Sequence, residues 1–175
     1  MATKSDAAEK AEPELVISKV FDAPRELVFK AWTEPERMKR WAVPDGFTMP
    51  ICKIDPRPGG GFHYCRRSSE GLEFWQKCFY REVVVPERLV LTEFRSDQEG
   101  NMVRHPANPN WPPQLSSTLT FSEQEGKTAI TIRMVSHSAT EAERKTFEAA
   151  HELLQTSIGA ALDKLAESIS KACAQ

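Results

Sequence analysis

His151 stands on an apolar stripe, in step with Phe147, Leu154 and Ile158 at three- and four-residue intervals. An imidazole in such a place either makes one satisfied hydrogen bond in a core, or offers a ligand contact or a general base. Gln76 is the second polar candidate. In the run 73–84, Phe74, Gln76, Cys78, Tyr80 and Glu82 share one face of a strand, and Trp75, Lys77, Phe79, Arg81 and Val83 share the other. We expect the Tyr80 face to turn inward, carrying Gln76 and Glu82 toward the interior. A polar group there costs free energy unless it is networked or met by a ligand.

Other residues offer chemistry without a spacing that selects it. His63, Glu82, Glu93, His137 and His151 could each move a proton, and no pattern pairs them. Cys52, Cys65 and Cys78 recur every 13 residues, but on successive strands that period follows from strand length, and it matches no metal-ligand spacing. The Gly-rich stretch 55–61 lacks the Lys-Ser/Thr of a phosphate-binding loop and joins two strands, so it reads as a tight turn. Glu34/Glu36 and Glu141/Glu143 sit at helix starts, where carboxylates complement the dipole. No catalytic residue, metal site or cofactor is assigned.

Composition bounds the rest. A chain of 175 residues suits one domain with a substantial core, without disulfides or a structural metal. Its formal net charge of -2, with Lys and Arg scattered, excludes a general attraction to nucleic acid or anionic membranes. No run is long enough to span a bilayer. The N-terminus has no apolar export segment, so we expect a cytoplasmic protein with reduced thiols.

The elements that must position these residues are legible from turn chemistry and periodicity. Residues 1–13 carry no apolar periodicity and read as a tail, leaving 14–172 as the domain. A strand over 15–21 precedes two short helices. The first starts at Pro24 and carries Leu27, Val28, Ala31 and Trp32; the second, with Thr33 as a cap, carries Met38 and Trp41. Six strands follow, over about 47–54, 60–67, 73–84, 88–95, 115–122 and 127–136. Short turns between them favour antiparallel hairpins; the polar connection 96–114, with four prolines and Trp111, is the exception. Thr140 and Glu143 form a capping box for one continuous helix of about 30 residues, some 45 Å long. Such a helix needs a broad apolar partner, and the sheet is the one on offer.

One strand, two short helices, six strands and a long helix, in that order, resemble the helix-grip (α+β) arrangement of START-like proteins. The motifs narrow this: Phe21-Asp22-Ala23-Pro24, Val28 to Trp32, Glu36 to Trp41, Asp55 to Gly60, Glu82 to Val90, Thr120 to Glu123 and Gly126-Lys127-Thr128. Over about residues 14–170 the chain resembles the branch similar to the C-terminal domain of the activator of heat-shock-protein-90 ATPase. Where that branch has a Gly-Trp pair in the last helix, this chain has Ser157-Ile158, which should leave more space beneath the helix.

The resemblance implies a curved sheet of about seven strands around the long helix, with an apolar cavity between them. It implies binding of a small hydrophobic or aromatic molecule by Trp32, Met38, Trp41, Phe62, Tyr64, Gln76, Tyr80, Phe94, Phe147, His151, Leu154 and Ile158. Alternatives from the same fold are a cyclase- or dehydratase-type enzyme and a chaperone-ATPase partner domain, and a homodimer is compatible with all three. The helix beyond Ala161 is expected to be plain core packing.

Overall fold

The computed structural model describes residues 12–173. The elements are β1 (Glu14–Phe21), α1 (Arg25–Thr33), α2 (Pro35–Trp41), β2 (Phe47–Ile54), β3 (Gly61–Ser68), β4 (Glu73–Val84), β5 (Arg88–Arg95), β6 (Gln114–Gln124), β7 (Lys127–His137), α3 (Glu141–Ala149) and α4 (His151–Cys173). The seven strands form one antiparallel sheet in the order β1-β7-β6-β5-β4-β3-β2. This is the helix-grip architecture. Because β1 and β2 lie at opposite edges, α1 and α2 must carry the chain across the sheet. The tail expected over 1–13 falls mostly outside the described residues; of it, Glu12 accepts a hydrogen bond from Ser136 at 3.2 Å.

Alternation sets the inner face. In β6 and β7, Leu115, Leu119 and Phe121 are buried, as are Ile130, Ile132 and Met134, and the register brings Leu119 opposite Ile132 and Phe121 opposite Ile130. In α4 the fully buried residues are Leu162, Leu165 and Ile169, all in its C-terminal half. That half lies with α1, α2 and β1. Thr128, buried without exposure, donates its hydroxyl to the Ala23 carbonyl at 2.7 Å and ties β7 to the turn before α1.

Two expectations are corrected. The C-terminal helix is not continuous: at Ala150 the backbone amide reaches the carbonyls of both Thr146 and Phe147, and one residue separates α3 from α4. Thr33 does not cap α2. It is the last residue of α1, and its hydroxyl donates to the Phe29 carbonyl at 3.1 Å, which competes with capping; Glu34 takes the cap position ahead of Pro35. Thr140 does cap α3, its Oγ1 accepting from the Glu143 amide at 3.2 Å, while the Glu143 carboxylate accepts from the Thr140 hydroxyl at 3.1 Å in place of the reciprocal backbone bond of a full capping box.

Leu165 has no exposure, whereas Leu153, on the same helix, is 70% exposed. Leu165→Ala should cost about 2–5 kcal/mol in chemical denaturation, and Leu153→Ala less than about 0.5 kcal/mol. Comparable losses would mean that the packed half of α4 is misassigned.

Candidate functional site

The N-terminal half of α4 stands off the sheet. Leu154 and Ile158 are only partly buried there, and between them and β3–β6 lies a partly open cavity of about 760 Å³. Most of its wall is apolar. From α1 and α2 come Trp32, Met38 and Trp41, with the indole of Trp41 donating to the Ala31 carbonyl at 3.0 Å. Phe62 and Tyr64 come from β3, Gln76, Cys78 and Tyr80 from β4, and Leu154 and Ile158 from α4. The turn before β3 fixes Tyr80: Tyr80 and Gly59–Gly60 exchange backbone hydrogen bonds of 2.9 and 3.0 Å. A Cβ at Gly60 would stand 2.2 Å from the Asp55 carbonyl oxygen, so no other residue fits that turn.

One side of the wall is polar, and pairing across the strands explains how it assembles. Tyr64 lies opposite Gln76, and its hydroxyl donates to Gln76 Oε1 at 2.8 Å. Gln76 in turn faces Arg95 on β5, and Cys78 faces Glu93. Arg66 continues the Phe62–Tyr64 face of β3, and Ser117 joins from β6. Arg66 Nε, Ser117 Oγ and Trp32 Nε1 are buried without a hydrogen-bond partner. Burial pushes the Glu93 carboxyl up to about 7, against the opposing pull of the Arg66 charge. It also pushes the Tyr64 and Tyr80 hydroxyls and the Cys78 thiol upward, and Cys52 up to about 11. These thiols are therefore protonated at neutral pH and are poor nucleophiles. Among the described residues, no three His, Cys, Asp or Glu side chains are placed to hold a metal ion.

Of the twelve residues expected at the site, nine put side chains on elements facing the cavity: Trp32, Met38, Trp41, Phe62, Tyr64, Gln76, Tyr80, Leu154 and Ile158. Phe94 borders the cavity, but it pairs with Lys77 on the other face of the sheet, and its ring lies 5.9 Å from that of Phe79. Phe147 is fully buried and packs between Trp111, at 6.2 Å, and His151, at 4.6 Å. It is core rather than wall. His151, one residue past the break, is likewise off the wall, and its Nε2 is buried unpartnered. Glu82 does not point inward: the register shifts between Tyr80 and Glu82, so Val83 packs on the core and Glu82 meets Arg88 at 3.5 Å. Beyond Ala161, Leu162 and Lys164 also reach the cavity, so that part of the helix is not plain packing.

His63 bonds Ser96 at 3.1 Å, and His137 lies 3.5 Å from Arg81, which leaves Glu93 as the one member of the proton-transfer set on the wall. The connection 96–113 supplies Val103, Arg104, His105 and Trp111 at the cavity. Sequence reasoning did not reach Arg66, Arg95 or Ser117. Alternation from Tyr64 could have reached Arg66; the other two depend on register between strands.

Glu93 also makes stability pH-dependent. Its folded pKa is raised, so the protonated carboxyl's contribution is fully present below about 4.5 and is lost as pH rises through about 7. Glu93→Gln stays neutral throughout. It should match the parent at pH 4 and exceed it at pH 8 by about 1–3 kcal/mol in urea denaturation. An equal difference at both pH values would overturn the buried-carboxyl reading.

Solved structures share the fold. A Staphylococcus epidermidis protein superposes with TM-score 0.73 at 20% identity, covering 93% of each chain. A Rhodobacter sphaeroides protein gives 0.72 at 21%, covering 90% of this chain and 93% of that one. One from Nitrosomonas europaea gives 0.69 at 24%, covering 90% and 94%. No curated protein matches the sequence. No described helix is long and apolar enough to cross a membrane. The family model described as activator of Hsp90 ATPase homolog 1-like protein matches residues 22–168, and the chain belongs to that family.

Proposed function

We propose that this protein binds a small, largely apolar molecule in the cavity between α4 and the inner face of β3–β6. The observation that carries this reading is the volume, about 760 Å³, inside the range of small-molecule sites. Being partly open, it is filled by solvent or by a ligand, and a mostly apolar wall favours a ligand over water. The few polar groups on β3–β6 would orient that ligand.

A second reading, a proton-transfer enzyme, draws on Glu93 alone: a carboxyl held near 7 inside a cavity has the property a general acid–base needs. It ranks second because, among the described residues, no second titratable group is hydrogen-bonded to Glu93. The family name suggests a chaperone ATPase as a partner.

Native mass spectrometry of protein purified from its own cells should show an adduct that denaturation removes. Ile158→Trp, which adds bulk on the α4 side of the wall, should narrow the cavity. It should weaken binding of the fluorescent apolar probe phenylnaphthylamine at least about tenfold with circular dichroism unchanged. A bare mass together with no probe binding would sink the ligand-binding reading.

A further inference from the structure

Ion pairing separates the arginines of the sheet: Arg81 on the outer face lies 3.5 Å from His137 without a carboxylate partner among the described residues, and the others fall into two groups. Arg67 meets Glu73 at 2.6 Å, Arg88 meets Glu82 at 3.5 Å, and Arg133 pairs with Glu14. Arg66 and Arg95, which line the cavity, form no ion pair with any described carboxylate. Each lies over an aromatic ring instead: Arg66 Cζ is 5.1 Å from the centre of Tyr64, and Arg95 Cζ is 5.7 Å from the centre of Phe74. Arg66 Nε is buried with no acceptor. A guanidinium in a partly buried wall loses water contacts that the ring face only partly replaces.

Register brings the two cations to one place. Arg66 is opposite Phe74, and Arg95 is opposite Gln76, so both flank the same stretch of β4. Strand spacing and rise put their backbones about 12 Å apart, within the joint reach of two long side chains. The nearest acid on this face is Glu93, two residues from Arg95 on β5. Burial holds it partly protonated near neutrality, so it is a poor counter-ion for either arginine. A pair of positive charges without a partner thus borders an apolar cavity of ligand size.

We propose that the cavity's ligand is an amphipathic organic anion, its apolar body under α4 and its acid group held by Arg66 and Arg95 over Gln76. This rests on the ligand-binding reading above and adds the chemical class. Guanidinium groups match carboxylate or sulfonate oxygens two at a time, and such charge-assisted bonds are stronger where water is scarce. Gln76 already accepts from Tyr64 through Oε1, which turns its amide NH₂ free to donate to the same acid group.

The test compares two fluorescent probes with one scaffold, anilinonaphthalene sulfonate and neutral phenylnaphthylamine. The parent should bind the sulfonate at least about tenfold more tightly. Arg66→Gln/Arg95→Gln should lose that preference and keep its affinity for phenylnaphthylamine within about twofold. Arg40→Gln, which removes an exposed arginine away from the cavity, should change neither. Should the double variant fail to fold by circular dichroism, each single variant should lose about threefold of the preference. Equal affinities in the parent, or a preference that survives the substitutions, would overturn the anion assignment while leaving the cavity reading intact. Binding of neither probe, together with a bare mass in native mass spectrometry, would overturn both.

Discussion

The whole arrangement depends on how far one helix can cover a curved seven-stranded sheet. In α4, Leu162, Leu165 and Ile169 are buried to 5% exposure or less, and they lie on the side of α1, α2 and β1. A cylinder about 10 Å across cannot follow a concave surface across seven strands spaced almost 5 Å apart. Closing on β1 therefore means standing away from β3–β5. The cavity is the geometric remainder, and Ile158 stands on its wall.

That remainder determines the electrostatics of the wall. A low-dielectric enclosure disfavours charge, so Glu93 is partly protonated near neutrality and the cysteine and tyrosine groups stay neutral. The same enclosure makes an unpaired guanidinium costly, and no described carboxylate pairs with Arg66 or Arg95. Tyr64 and Gln76 satisfy one another and form the fixed part of the polar surface. The α2–β2 loop is held separately, with Lys164 Nζ reaching Asp45 at 2.7 Å and the Val43 carbonyl at 2.9 Å. That pair lowers the Asp45 carboxyl below its ordinary value through the hydrogen bond and charge of Lys164, but both partners are solvent-accessible, so its energetic weight is small.

Much of the fold was legible because strand boundaries follow turn chemistry. The expected span 73–84 and the observed β4 coincide, as do 88–95 and β5. Helix ends were less legible. Thr33 satisfied a capping pattern, yet its hydroxyl found the Phe29 carbonyl, a contact that spacing alone does not distinguish. Ala150 gave no sign of a break, since alanine favours helix; the interruption comes where Phe147 is anchored against Trp111 while the following segment passes over the cavity.

The sequence by itself determined the order of elements, the family, the inner face of β4 as far as Tyr80, and the aromatic residues of α1, α2 and β3 beside the cavity. The family follows from the motifs that carry the resemblance, and the rest from periodicity, which is local. Tertiary structure alone decided that Phe147 is core, that Phe94 turns its ring outward and that Glu82 leaves the interior at a bulge. It alone brought Arg66, Gln76, Glu93 and Arg95 together. Each of these depends on register between strands or on where a helix is anchored, and both are settled by contacts between residues far apart in the chain.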